Sequence, residues 1–139
     1  MKEFHILLIE DNEGDILMTT ESILEYEPGC RIDVARNGQE AIELIEQLLE
    51  EPSSKKPDLI LLDINLPRRN GHEVLQFIKK HPSLTFIPVV ILTTSSSPLD
   101  ITQAYAAHAN SYLTKPTEAD EFNKMVMALV EFWRRNVKL

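Results

Sequence analysis

The sequence predicts an α/β fold, a (βα)₅ doubly wound sheet of five parallel strands in the order 2-1-3-4-5. Strand-like runs alternate with helix-like segments five times along the chain, which is typical of a mainly parallel sheet with helices on both faces. Two of these runs, residues 59–62 and 87–92, are almost continuously apolar, as in strands that are covered on both sides. With 139 residues and 43% hydrophobic content, residues 1–139 are expected to form a single domain with its own core.

The five strands are predicted from short apolar or alternating runs. In chain order they cover residues 5–10, 31–35, 59–62, 87–92 and 111–114. The second run, 31–35, alternates polar and apolar residues, and the first, third and fourth are mostly aliphatic. The first, third, fourth and fifth runs lead directly into Asp11, Asp63, Thr93 and Lys115. The carboxyl ends of the strands are where an open α/β sheet places its ligand chemistry.

The five helices are predicted from apolar residues at helical spacing and from residues that start or end helices. The boundary signals, in chain order, are a break at Pro28-Gly29, a capping box at Asn37 and Glu40, a stop near His81-Pro82, a cap and first-turn proline at Ser97 and Pro98, and a second capping pair at Thr117 and Asp120. The last helix carries an apolar stripe that runs to Trp133.

A polar, proline-bounded stretch at residues 51–57 predicts a surface loop between the second helix and the third strand. The loop is too short to separate two domains, which agrees with the expectation of a single domain.

Composition excludes several classes of function. The formal net charge of −8 argues against non-specific nucleic-acid binding, which needs a basic face. No apolar run approaches the roughly 20 residues that span a bilayer, and the N-terminus has no signal-peptide pattern. Cys30 is the single cysteine, so no intrachain disulfide can form and a cytoplasmic protein is expected. From the charge and the apolar runs, neither membrane nor nucleic-acid partners are expected. The four histidines lack metal-ligand spacing and are expected to be solvated or to cap helices.

Polar residues at four strand ends form the candidate site. Glu10 and Asp11 follow the first strand, Asp63 the third, Thr93 the fourth and Lys115 the fifth. In a parallel sheet all carboxyl ends lie at one edge, so these five side chains should converge.

The residue types at this edge indicate a metal-dependent phosphoryl acceptor. Three carboxylates close together repel each other, and a hard divalent cation such as Mg²⁺ removes that penalty. A cation beside a carboxylate nucleophile, with Lys115 and the Thr93 hydroxyl nearby, suits phosphoryl transfer to Asp63.

Taken together, these motifs resemble the receiver domain of two-component response regulators, a flavodoxin-like fold. The resemblance covers residues 4–133, and its residues are Glu10-Asp11, Asp63-Ile64-Asn65-Leu66-Pro67, Gly71, Thr93, Tyr112 and Lys115-Pro116. Each motif is weak alone, but all of them in order at the right strand ends form a specific set.

The resemblance implies a role for each matched residue. Asp63 would accept a phosphoryl group from a phosphohistidine on a sensor histidine kinase. Asp11, Asp63 and the main-chain carbonyl of Asn65 would ligate Mg²⁺, with Glu10 helping through water. Lys115 would pair with the phosphoryl oxygens. The switch residues would be Thr93, which would move toward the phosphate, and Tyr112, which would turn inward behind it.

A narrower resemblance links the chain to stand-alone regulators that are paired with bacterial phytochromes. It is carried by Glu10-Asp11-Asn12 with Gly14-Asp15, the run 93–98, the loop before the third strand, and Phe132-Trp133. It implies a receiver without an attached effector domain. Such a protein would act by binding a downstream protein target that the sequence does not name, or by passing its phosphoryl group to a histidine phosphotransfer protein. Phe132 and Trp133 also predict a homodimer through the last two helices, with one aromatic on the core and one exposed.

Two other functions remain open from the residues. One is a phosphorylation-independent interaction module on the same fold. The other is an Mg²⁺-dependent phosphatase of the haloacid dehalogenase type, which uses an aspartate nucleophile but prefers a second acid where this chain has Asn65.

Overall fold

The computed structural model describes residues 3–51 and 56–136. Within these ranges the chain forms five strands and five α-helices in strict alternation, followed by a short π-helical segment. The strands β1 to β5 span His5–Ile9, Arg31–Ala35, Leu59–Leu62, Val89–Thr93 and Ser111–Thr114. The helices α1 to α5 span Glu13–Tyr26, Gly38–Glu50, Gly71–Lys80, Pro98–Ala106 and Ala119–Glu131, and the π-helical segment spans Phe132–Asn136.

All neighbouring strands pair in parallel, in the order β2-β1-β3-β4-β5, which confirms the predicted fold. The chain therefore reverses direction across the sheet between β1 and β3. In sheets of this topology, ligands bind in a crevice at the carboxyl ends of the strands, at the point where the strand order reverses.

Both faces of the sheet are buried, because alternate residues of the central strands contribute to two separate cores. Leu7, Ile60 and Ile91 belong to the core shared with α2, α3 and α4. Their neighbours, such as Leu8 and Leu61, belong to the core shared with α1 and α5. The helices thus cover both faces of the sheet, so that solvent reaches it mainly at its edges and at the strand ends.

Most predicted helix boundaries are confirmed. The side chains of Asn37 and Ser97 accept hydrogen bonds from backbone amides three residues later, at the starts of α2 and α4. The prediction for α5 was wrong by one residue. Its N-cap is Glu118 rather than Thr117, and no side chain caps it.

Small differences from the predicted strands occur at the ends. Glu10 lies just beyond β1, and β4 begins at Val89 and includes Thr93. Four residues of the predicted loop, 52–55, lie outside the described residues.

The expectation that the histidines are solvated or cap helices was wrong for His5. His5 is fully buried in β1, and its Nε2 lies 2.6 Å from Oδ2 of Asp33 in the neighbouring strand. A carboxylate 28 positions away therefore supplies the polar partner that makes burial of the imidazole acceptable.

The C-terminal aromatics divide as predicted. Trp133 packs against the core of α1 and α5, whereas Phe132 is 52% exposed. In the part of the chain that the structure describes, no helix has the length and apolar character needed to traverse a bilayer.

Candidate functional site

The backbone around the candidate residues is held by the sheet itself. The amide of Glu10 donates to the Ala35 carbonyl, and the amide of Asp63 donates to the Ile9 carbonyl at 3.0 Å. The amide of Lys115 donates to the Thr93 carbonyl at 2.7 Å. The parallel ladder thus continues one residue past several strands, and it fixes the origin of each functional side chain.

Asp63 is buried, and both of its carboxylate oxygens accept hydrogen bonds. Oδ1 accepts from the Thr93 hydroxyl at 2.7 Å and from the Asn65 amide at 3.0 Å. Oδ2 accepts from Nζ of Lys115 at 3.0 Å. Burial acts to raise the pKa of Asp63, but these donors and the lysine charge outweigh it, so its pKa lies below the ordinary value. The carboxylate is therefore ionised at neutral pH.

Lys115 is the positive centre of the site. Its ammonium donates to Oε1 of Glu10, to Oδ2 of Asp15 at 2.8 Å and to Oδ2 of Asp63 at 3.0 Å. An ammonium has three donors, and each of them meets a carboxylate here. Burial acts to lower the pKa of Lys115, but its hydrogen bonds to the carboxylates of Asp15 and Glu10 and the surrounding negative charge raise that pKa.

Glu10 is buried and turned back toward the start of α1. Its Oε2 accepts from the amides of Asp11 and Asn12 at 3.1 and 3.2 Å, while its Oε1 faces Lys115. Burial raises the pKa of Glu10 to about 7, against the opposing effect of Lys115. Glu10 and Asp63 therefore differ in the ease with which they lose a proton, although they share one cation.

Three carboxylates form a group that could hold a metal ion. Glu10, Asp11 and Asp63 each offer an oxygen, and these oxygens lie within 4.8 Å of one another. Asp11 is exposed to solvent, whereas the other two are buried. Hard oxygen donors with one open side fit a divalent cation that retains water ligands, as Mg²⁺ does.

The loop after Asp63 is held close to α3 and α2. A Cβ added to Gly71 would lie 2.4 Å from Cα of Ile64 and 2.5 Å from the Asp63 carbonyl, so only glycine allows this approach. The amide of Gln39, in the first turn of α2, donates to the Arg68 carbonyl at 2.8 Å. Arg68 adopts a left-handed backbone with φ of 48°. The segment that carries Asn65 is therefore fixed at both of its flanks.

A second hydrogen-bonded chain leads away from Thr93 through the loop between β4 and α4. The Tyr112 hydroxyl donates to the Ser95 carbonyl at 2.8 Å, and the Ser95 hydroxyl donates to Oδ2 of Asp100 at 2.6 Å. Nε2 of His72, in α3, lies 3.0 Å from Oδ1 of Asp100. The loop behind Asp63 is thus tied to α3, α4 and β5 together.

The structure brings together six of the seven residues singled out from the sequence: Glu10, Asp11, Asp63, Asn65, Thr93 and Lys115. The Asn65 side chain lies at the rim, with Nδ2 3.5 Å from the Thr93 hydroxyl. The seventh, Tyr112, is connected to the site indirectly, through the hydrogen bond from its hydroxyl to the Ser95 carbonyl.

Sequence reasoning missed Asp15 as a partner of Lys115. An acid in the first turn of a helix is common because it interacts favourably with the helix dipole, and the resemblance that includes Asp15 implied no contact with Lys115. The position of Asp15 in the first turn of α1, shortly after the strand end that carries Glu10 and Asp11, was the available indication.

Comparison with known proteins agrees with this geometry. Residues 6–127 match the family described as the response regulator receiver domain. The chain is 40% identical over 134 residues to the response regulator Rcp1 of Synechocystis sp., a match that covers 96% of this chain and 91% of that protein.

Two solved structures have the same fold over almost their whole length. The phosphorylated cyanobacterial phytochrome response regulator RcpA is 38% identical, with a TM-score of 0.93 and coverage of 99% of both chains. The Mn²⁺-bound form of Rcp1 is 39% identical, with a TM-score of 0.89 and coverage of 98% of both chains.

Proposed function

The chain belongs to the response regulator receiver domain family, and on that premise we propose that it accepts a phosphoryl group on Asp63 from a sensor histidine kinase. The observation that carries the proposal is the environment of Asp63. Its carboxylate is buried and anionic, and it lies between a hydroxyl donor on Thr93 and an ammonium on Lys115.

In the proposed reaction, an Asp63 oxygen attacks the phosphorus of a phosphohistidine. The P–N bond breaks as the P–O bond forms, and the histidine nitrogen leaves with the bonding pair and takes up a proton. The product is an acyl phosphate on Asp63. Lys115 and Thr93, which already donate to the two oxygens of this carboxylate, would donate to the oxygens of the transferred group.

Glu10, Asp11 and Asp63, with the main-chain carbonyl of Asn65, would hold Mg²⁺. When bound, the ion supplies positive charge that offsets the negative charge gathered at the phosphoryl oxygens. The roles of the residues rest on their donor chemistry and positions.

Phosphorylation would change the conformation of Thr93 and of the loop that follows it. A phosphoryl group adds a charge of roughly −1.5 to −2, and Thr93 would turn its hydroxyl from Asp63 toward it. Because Ser95 follows two residues later and binds both Tyr112 and Asp100, a shift of this loop would reach α4 and β5. The output would be a change in binding to a partner protein, or onward transfer to a histidine phosphotransfer protein.

RcpA is a phytochrome response regulator, which supports a phytochrome-class histidine kinase as the phosphodonor. We further propose that the chain acts as a single receiver domain and forms a homodimer through α4, α5 and the exposed ring of Phe132. Analytical ultracentrifugation at high micromolar concentration, with and without a phosphate mimic, tests the dimer, and a monomer in both conditions contradicts it.

The central test is intact-mass spectrometry after incubation with acetyl phosphate and MgCl₂. Wild type should gain the mass of one phosphoryl group, and Asp63→Asn should not. Asp120→Asn, which removes an exposed acid from the start of α5, is the matched control and should be modified like wild type. An unmodified wild type, or an adduct that persists in Asp63→Asn, refutes the proposal. If wild type is modified and Asp63→Asn is not, a phosphotransfer profile against purified histidine kinases would identify the donor.

A further inference from the structure

Asp15 contacts the functional lysine without belonging to the group of acids that could hold a metal. Its Oδ2 lies 2.8 Å from Nζ of Lys115, and its side chain is 24% exposed. The metal-capable group comprises Glu10, Asp11 and Asp63. Asp15 is therefore a third carboxylate, besides those of Glu10 and Asp63, that accepts a hydrogen bond from the Lys115 ammonium.

The position of Asp15 is fixed by the start of α1. The side chain of Asn12 caps this helix and accepts a hydrogen bond from the Asp15 amide at 2.9 Å. Because the backbone of Asp15 is held in this way, its carboxylate is a fixed point against which a flexible lysine can be placed.

The other two partners of Lys115 change during the proposed reaction. Asp63 loses its carboxylate charge when it becomes an acyl phosphate, and the phosphoryl oxygens replace it as acceptors. Glu10 lies in the metal-capable group and would respond to an incoming cation. The contact with Asp15 is the one that neither event alters directly.

We propose that Asp15 is a positioning residue that holds the Lys115 ammonium beside Asp63 before, during and after phosphorylation. The inference rests on the proposed function, since it assigns a role within the same site. A lysine is a point charge on a flexible four-carbon stem, so it contributes to phosphoryl transfer only when its head is held in place.

The charge of Asp15 has an opposite effect that the test must separate. A negative charge next to Lys115 repels an anionic phosphodonor, so its removal alone favours modification. Asp15→Asn removes the charge but keeps an oxygen that can accept from Lys115. Asp15→Ala removes both the charge and the oxygen, and Asp15→Ser is a second truncation.

The measurement is the initial rate of modification of the full-length chain by acetyl phosphate with MgCl₂. Asp15→Asn should match or exceed the wild-type rate, while Asp15→Ala and Asp15→Ser should be about tenfold slower. Glu13→Ala is the matched control, because Glu13 carries the same charge in the same turn but pairs with Arg36, and its rate should stay at the wild-type value. In a Lys115→Met background, Asp15→Ala should cause no further loss.

The inference is overturned if the truncations and Asp15→Asn react at the same rate, since only charge, or nothing, would then be at stake. It is equally overturned if Asp15→Ala slows the Lys115→Met protein as much as it slows wild type. A wild-type protein that takes up no phosphoryl group contradicts the proposed function instead, and the two failures are therefore distinguishable.

Discussion

Replacing Lys115 with methionine is expected to destabilise the metal-free protein by about 3 kcal/mol. The side chain of Lys115 is only 5% exposed, and its ammonium serves Glu10, Asp15 and Asp63. Removing one partner of a buried ion pair costs about 3–5 kcal/mol, because the remaining charge is left without compensation. The lower end of that range applies here, since Glu10 already has a pKa of about 7 and can take up a proton when the lysine is gone.

Urea denaturation at neutral pH, with chelator and then with MgCl₂, measures this effect. Lys124→Met removes an exposed lysine from α5 and should change the free energy of unfolding by less than about 0.5 kcal/mol. Added Mg²⁺ should stabilise Lys115→Met more than wild type, because the ion replaces the missing positive charge. A loss below about 1 kcal/mol without metal would refute the view that this lysine holds the acids together.

Three further predictions concern the acid cluster, the loop after Thr93 and the approach of α3. Because burial raises the pKa of Glu10 to about 7, a proton competes with the metal below pH 7. Mg²⁺ affinity should fall by about tenfold per pH unit below pH 7 and should level off above it. Isothermal titration calorimetry measures this affinity, and Glu10→Gln should flatten its pH dependence. Tyr112→Phe removes the bond to the Ser95 carbonyl and should cost about 1 kcal/mol with faster amide exchange in the loop after β4; unchanged exchange would show that this hydroxyl does not restrain the loop. Gly71→Ala should lower the free energy of unfolding by at least about 2 kcal/mol through overpacking. Gly29→Ala, whose Cβ meets nothing within 4 Å, should be close to neutral. Equal melting temperatures for the two variants would contradict the close approach of α3 to the loop after Asp63.

The parts of the fold that could be predicted are those set by local pattern. The aliphatic run before Asp63 needs burial on both faces, and Asn37 provides a cap that any helix start would use. The convergence of Asp63 and Lys115 followed from topology, because parallel strands bring their carboxyl ends to one edge.

The parts that could not be predicted depend on partners far away in the chain. The burial of His5 depends on Asp33 in the next strand, and the role of Asp15 depends on Lys115. The left-handed backbone of Arg68 has no glycine or asparagine to signal it, and it arises where the loop meets the first turn of α2. Non-local contacts of this kind override local preference.

The distance along the chain between Lys115 and its acids also has a consequence for synthesis. Its ammonium meets Asp15 and Glu10 across 100 and 105 positions of sequence. Both acids leave the ribosome long before the lysine, and the cluster has no ammonium until β5 has joined the sheet. A chain still being translated, or one cut short before residue 115, therefore cannot present a complete site. The order of residues would restrict the proposed phosphoryl acceptance at Asp63 to molecules in which all five strands have paired.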